Sequence, residues 1–249
     1  MKALILAGGF GKRLWPITLN RSKALLEVGG RPIIDYIVEK FVKLDLEEII
    51  VSTNMKFEAD FRDWLTKSKY KNIRLVIETS KNEKEKPGAV KALEKIVSEI
   101  KGDCFIVAAD NLFTDSLEGM VKAYHVKKAP IIALYDIGDI RLVKHFGVVS
   151  INSESRITSF TEKPEKPIST LISTCIYLFP NRILQRITEY VDGGYDADAP
   201  GKFIEWLYRQ EPTFGNILYG KWWDIGNIET YNDANRYFSE KIIGGSSGK

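Results

Sequence analysis

Residues 3–28, ALILAGGFGKRLWPITLNRSKALLEV, decide how the rest of the chain is read. Ala3–Ala7 is an apolar run with the length of a buried parallel strand. Gly8, Gly9 and Gly11 follow directly. Glycines this close let the backbone turn sharply and bring its N–H groups against a ligand. N–H groups gathered in such a concavity form an anion site. Lys12, Arg13 and Lys23 add cations at its exit, which together describe a phosphate cradle. The plainer reading is a tight strand-to-helix turn with solvated basic residues. The Walker spacing is absent, because Arg13 follows Gly11-Lys12 and no glycine stands at the required earlier position. The dinucleotide spacing GxGxxG fails as well, since Leu14 stands where the third glycine belongs.

Outward from this stretch, strands and helices alternate. Pro32–Leu44 has apolar residues at helical spacing behind a proline suited to a first turn. Glu48–Thr53 reads as a strand. Lys56–Lys67 reads as an amphipathic helix with Phe57, Phe61, Trp64 and Leu65 on one face, and Ile73–Ile77 as the next strand. Pro87 and Gly88 open a further helix, and Asp103–Ala109 is an apolar strand ending in Asp110-Asn111. This alternation predicts an α/β fold with a parallel sheet and right-handed crossovers. Ligands in such sheets gather beyond the C-terminal strand ends, where the glycine loop and Asp110 both fall. A carboxylate there beside phosphates calls for a cation, whereas the plainer role for Asp is a cap, for which Ser116 is the better candidate.

The stretch LAGGxGxRLxPxT followed by SKxLL resembles the sugar-1-phosphate nucleotidylyltransferases, which make NDP-sugars from an NTP and a sugar 1-phosphate and release pyrophosphate. The resemblance covers residues 1–238. It implies a Rossmann-like nucleotide-diphospho-sugar transferase fold: a mixed, mostly parallel sheet flanked by helices, with a smaller antiparallel portion for the sugar. It assigns the nucleotide to Leu6, Ala7, Gly8, Gly9, Gly11 and Lys12, although Lys12 replaces the small or Thr residue common there. Arg13 takes the β- and γ-phosphates and Lys23 the phosphates near the reacting centre. Gly88 lets the base come close. Glu78 stands near a Gln that reads the pyrimidine edge in thymidylyl- and uridylyltransferases. Asp110 and Asp224, the latter in a WxDxG segment, become the ligands of a magnesium ion.

In the second half, Ile131–Tyr135, Phe146–Ile151, Ile157–Glu162 and Leu171–Phe179 are strand-like with short connections, as in an antiparallel or mixed extension of the sheet. Phe146-Gly147-Val-Val and Phe160-Thr-Glu-Lys-Pro resemble the family's YGVV and FxEKP segments. They imply sugar contacts at Gly147 and Glu162 and a phosphate contact at Lys163. Without the resemblance, Glu-Lys-Pro is a surface turn. Ser173–Tyr177 resembles a strand reading xxGxY, which brings Tyr177 to the substrate, but Cys175 replaces the glycine. Gly201–Tyr208 reads as a short helix, Pro212–Tyr219 as a strand and Asn227–Glu240 as a terminal helix.

The 249 residues are read as a single domain over 1–243, with a nucleotide-binding half to residue 115, a sugar-phosphate half from 116, and a flexible tail at 244–249. Apolar and charged contents of 44% and 28% fit an ordinary globular protein. A net charge of +3 gives no argument for nucleic acid, and no run is long enough to span a membrane. The mixed-sign run Lys81–Lys86 reads as a solvated loop. The N-terminal strand is too brief for a signal peptide. Cys104 and Cys175 have no metal spacing, so reduced thiols and a cytoplasmic setting are expected. The partners expected are an NTP and a sugar 1-phosphate, with a homo-oligomer left open. The first expectation is dTTP or UTP with glucose 1-phosphate, towards which the SKALL segment leans, and GTP with mannose 1-phosphate is an alternative. A phosphoalcohol cytidylyltransferase and a non-catalytic nucleotide-sugar-binding subunit are the remaining alternatives.

Overall fold

The computed structural model describes residues 1–80 and 88–246, with side chains described as far as residue 241. The run Lys81–Lys86 and Pro87 lie outside the described residues. In chain order the first strands and helices are β1 (Lys2–Leu6), β2 (Glu27–Val28), β3 (Arg31–Pro32), α1 (Ile33–Val42), β4 (Glu48–Asn54), α2 (Glu58–Lys67) and β5 (Ile73–Glu78). They are followed by α3 (Ala89–Val97), β6 (Cys104–Ala108), β7 (Asn111–Phe113), α4 (Glu118–Lys127) and β8 (Ile131–Asp136). Then come β9 (Gly147–Ile151), β10 (Ile157–Glu162), β11 (Leu171–Phe179), α5 (Asn181–Asp192) and α6 (Pro200–Gln210). The chain closes with β12 (Phe214–Leu218), β13 (Trp222–Asp224) and α7 (Ile228–Ser246), which ends inside the Gly-Ser segment. The architecture is α/β, a mixed sheet flanked by helices.

The fold divides into two compact units that interleave along the chain. One comprises Leu4–Glu85, Ala108–Thr114 and Lys221–Lys249. Here β4 and β5 pair in parallel, Ile49 with Ile73 through to Asn54 with Glu78, and β1 neighbours β4. The helix α1 buries Ile33, Ile34, Ile37, Val38 and Phe41, a stripe at helical spacing that seats it on this layer. The expected helix from Lys56 begins as a tighter turn over Met55–Phe57, because the Asn54 side chain accepts from the Phe57 N–H. Phe57, Phe61 and Trp64 are core residues as expected, while Leu65 is only half-buried. The strands β7 and β13 form an antiparallel pair, with Asp224 opposite Asn111, packed on by α1 and α7.

The other unit comprises Met1–Ala3, Lys86–Val107 and Asp115–Gly220. Its strands are mainly antiparallel: β10 with β9, and β11 with β9, β6 and β8, while β12 joins β8 in parallel. The expected antiparallel second-half extension is therefore present. Ser116 does not cap α4, whose N-cap position is Leu117. The helices α3 and α5 pack together, and α6 packs on β10.

Candidate functional site

In the first unit, the glycine loop is tied down at both ends. The Ala7 N–H donates to Ser52 O at 2.7 Å and Leu6 O accepts from the Ala109 N–H at 3.0 Å, so the strand end is held on both sides. The buried Asn54 side chain donates to Gly8 O at 3.0 Å. Thr18 Oγ1 donates to Gly11 O at 2.7 Å, and Gly11 has φ +61°, a conformation that glycine adopts without cost. Nothing lies within 4 Å of where a Gly9 Cβ would be, so the loop is open there. Lys12 and Arg13 are exposed at its exit. Glu78 reaches back to the loop: it accepts from Ser52 Oγ at 2.6 Å, and a Cβ on Gly8 would come within 2.8 Å of its Oε1.

The same unit gathers Asp110, Asp224, Lys23 and Arg13. Asp110 occupies the turn after β6 and Asp224 ends β13, and the Ile225 N–H donates to Asp110 O at 2.9 Å. Pairing of β7 with β13 thus brings together residues more than 100 positions apart in sequence. Lys23 Nζ lies 2.6 Å from Asp110 Oδ2, while Asn111 Nδ2 donates to Oδ1 at 3.3 Å and is itself oriented by Trp222 Nε1 at 2.7 Å. Burial opposes the charge on Asp110, but the Lys23 ammonium, its hydrogen bond and the more distant Arg13 outweigh it and hold the carboxyl below its ordinary pKa. Among the described residues, no ion pair to Asp224 is formed. Burial and the charge of Asp110 push it up to about 6, against the pull of Lys23 and Arg13. A Cβ on Gly226 would meet Arg13 Nη2 at 3.2 Å and Asp224 Oδ2 at 3.3 Å, so Gly226 leaves room for both the guanidinium and the carboxylate.

In the second unit, Glu162 and Gly147 are register partners across β10 and β9. The Gly147 Cα lies directly under the Phe160 ring, which leaves no room for a Cβ. Burial raises the Glu162 pKa against the pull of Lys163 and Lys202, with Glu205 and Asp196 reinforcing burial. Lys163 is exposed and takes a left-handed φ of +49°, a strained state for a lysine. Cys175 takes φ +57° at the point where the β11–β8 register slips, so it keeps a backbone that a glycine there would adopt freely. Tyr177, expected at the substrate, is 3% exposed with its ring stacked on Phe179, because β11 is an inner strand packed on both sides. Gly88, at φ +91°, faces Ala197 O at 2.7 Å from its absent Cβ, and the Asp196–Asp198 segment accepts from the first N–H groups of α3. That close approach accounts for the glycine without a ligand.

A family of nucleotidyl transferases matches residues 2–241. The chain belongs to this nucleotidyl transferase family. A UTP–glucose-1-phosphate uridylyltransferase of Haloferax volcanii is 28% identical over 242 residues, 97% of this chain and 98% of that protein. A mannose-1-phosphate guanyltransferase beta-B of Xenopus laevis is 27% identical over 234 residues, 93% of this chain, which spans 62% of that longer protein. A Bacillus anthracis crystal structure with sucrose, provisionally named a glucose-1-phosphate thymidylyltransferase, superposes with TM-score 0.83 at 26% identity, covering 96% of this chain and 95% of that one.

For a nucleotidyl transferase, the donor set at Asp110 and Asp224 suits magnesium. It offers two carboxylates, an all-oxygen pair, and magnesium takes few protein oxygens while keeping water and phosphate ligands. Among the described residues, no group of three or more His, Cys, Asp or Glu is clustered as a metal cage. Asn54 escaped the sequence reading, and Asn111 and Gly226 stand in their segments there without a role, since a single Asn or Gly carries no signal of its own. Asn54→Ala leaves the Gly8 carbonyl and the Phe57 N–H without their partners. It should cost about 2–6 kcal/mol in denaturant unfolding and raise KM for the NTP, each buried orphan costing about 1–3 kcal/mol. Unchanged stability and KM would show that the loop holds its own shape.

Proposed function

We propose that the protein transfers a nucleotidyl group from dTTP or UTP to glucose 1-phosphate, giving an NDP-sugar and pyrophosphate. The observation that carries this is the convergence of Lys23, Arg13, Asp110 and Asp224 on one place next to an open glycine loop. The sugar 1-phosphate has a second pKa near 6, so at neutral pH its oxygen needs no general base. That oxygen attacks the α-phosphorus in line and the pyrophosphate leaves, so the protein has to supply position and countercharge. Arg13 is assigned to the leaving pyrophosphate. Lys23 neutralises Asp110 and the phosphates near the reacting centre, and backbone N–H groups at Gly8, Gly9 and Gly11 face the NTP. Glu162 takes sugar hydroxyls and Lys163 the sugar's phosphate. Bound at Asp110 and Asp224, magnesium would supply countercharge to the triphosphate and the developing pyrophosphate. No helix among the described residues is long and apolar enough to cross a membrane, and a cytoplasmic enzyme supplied by the NTP pool is the setting proposed.

A second reading, GTP with mannose 1-phosphate, is favoured by Glu78. A carboxylate only accepts hydrogen bonds, which suits the paired N–H donors of guanine and opposes the carbonyls flanking the pyrimidine N3–H. The phosphoalcohol alternative stays open through Cys175, which puts a side chain on a glycine-like backbone of φ +57°. The test crosses four NTPs and dTTP with glucose 1-phosphate, mannose 1-phosphate and phosphocholine, for wild type and Glu78→Gln. The first reading expects UTP or dTTP with glucose 1-phosphate to lead. A GTP lead that Glu78→Gln weakens by about tenfold or more establishes the second. No turnover with any pair overturns both.

A further inference from the structure

Glu162 is held by α6 at two points. Its N–H donates to Glu205 Oε2 at 3.4 Å, and its carboxylate rests on Gly201, one turn earlier on the same helix face. A Cβ on Gly201 would fall on Glu162 Oε2 and lie 2.5 Å from its Cδ. The same Oε2 lies 3.0 Å from where a Gly147 Cβ would be, so this oxygen sits in a notch between two bare Cα atoms. Nothing in the helix asks for glycine at 201. It follows Pro200 in the first turn, is not among the glycines with positive φ, and glycine is about 1 kcal/mol worse than alanine inside a helix. The remaining physical reason is room for the carboxylate. The position is also favourable electrostatically, since a carboxylate on a helix's first turn meets the positive end of its dipole.

We infer that Gly201 is a positioning residue for sugar-phosphate recognition: its missing side chain fixes where the Glu162 carboxylate stands. The inference rests on the reading of Glu162 as the sugar-hydroxyl acceptor. Gly201→Ala pushes Oε2 out of the notch and with it the other oxygen, which lies 3.9 Å from Lys163 Nζ.

The experiment is a double-mutant cycle of Gly201→Ala and Glu162→Ala. It measures KM for the sugar 1-phosphate, KM for the NTP and Tm, with UTP and glucose 1-phosphate or GTP and mannose 1-phosphate, whichever pair turns over. Gly201→Ala alone is expected to raise KM for the sugar phosphate about tenfold and leave KM for the NTP within about twofold. In the Glu162→Ala background it should add less than about twofold, because the clash is gone. If Gly201→Ala alone fails to fold, the double variant should fold for the same reason. An equal penalty in both backgrounds, an unfolded double variant, or a normal KM in Gly201→Ala beside a raised one in Glu162→Ala would overturn the inference. A normal KM in Glu162→Ala would instead overturn the sugar reading of Glu162, and the inference with it.

Discussion

Asp224→Asn should lower turnover steeply while making the metal-free protein more stable at neutral pH. The sign follows from the pKa. Asp224 is pushed up to about 6 from an ordinary carboxylate value near 4, so the folded state holds its proton over a range where the unfolded state has released it. Stability therefore falls as pH rises from about 4 to 6, by at most about 3 kcal/mol for a shift of roughly two units. Asparagine cannot ionise and escapes that loss. Asp110→Asn should do the reverse. Its lowered pKa means a stabilising contribution present above the ordinary carboxylate value and lost in acid, and neutralising it leaves Lys23 without its counter-charge. Both variants should lose turnover about 10³-fold, since an ion misplaced at the phosphates forfeits several kcal/mol. Thermal unfolding of the two variants with chelator, against pH, checks the opposite signs. Adding magnesium should raise the Tm of wild type and do little for Asp224→Asn. Two variants destabilised alike, or full activity in excess chelator, would remove the metal pair from the account.

Arg13→Ala should lower kcat/KM about 10²-fold or more, as expected when one placed transition-state donor worth roughly 3 kcal/mol is removed. Arg13 is exposed, and its guanidinium and Asp224 Oδ2 both border the bare Cα of Gly226. Its loss should leave stability within about 0.5 kcal/mol, because surface substitutions rarely do more. Lysine in its place keeps the charge but not the planar fork that grips a pyrophosphate, so Arg13→Lys should recover only part of the rate. Steady-state kinetics with NTP varied would show the loss. Near-normal turnover in Arg13→Ala would detach the glycine-loop exit from the chemistry.

The parts of this molecule legible in its sequence are those with short-range signals. Ile33, Ile34, Ile37, Val38 and Phe41 announce α1 by spacing alone, and β10 and β11 have the bounds that their apolar runs suggest. Helix α5, between β11 and α6, also carries a helical stripe in Ile183, Leu184, Ile187 and Tyr190, which the sequence analysis leaves unassigned. Helix α4, with a glycine inside and a weak apolar stripe, carries little signal. The loop cations and both aspartates could be named from a motif. Their mutual geometry could not, because it depends on a three-residue pairing, Asn111–Phe113 with Trp222–Asp224, too short to show a period. Two glycines also read differently once their neighbours are known: Gly147 makes room for Phe160 and Gly88 for the Ala197 carbonyl.

The most direct measurement is a ³¹P NMR balance of one reaction, NTP and sugar 1-phosphate with magnesium, each substrate omitted in turn. Pyrophosphate and an NDP-sugar diphosphate signal should appear in equal amounts, only when both substrates and the metal are present, and the reaction should run backwards when pyrophosphate is added to NDP-sugar. Pyrophosphate formed without the sugar 1-phosphate, alongside free NMP, would contradict nucleotidyl transfer to the sugar phosphate.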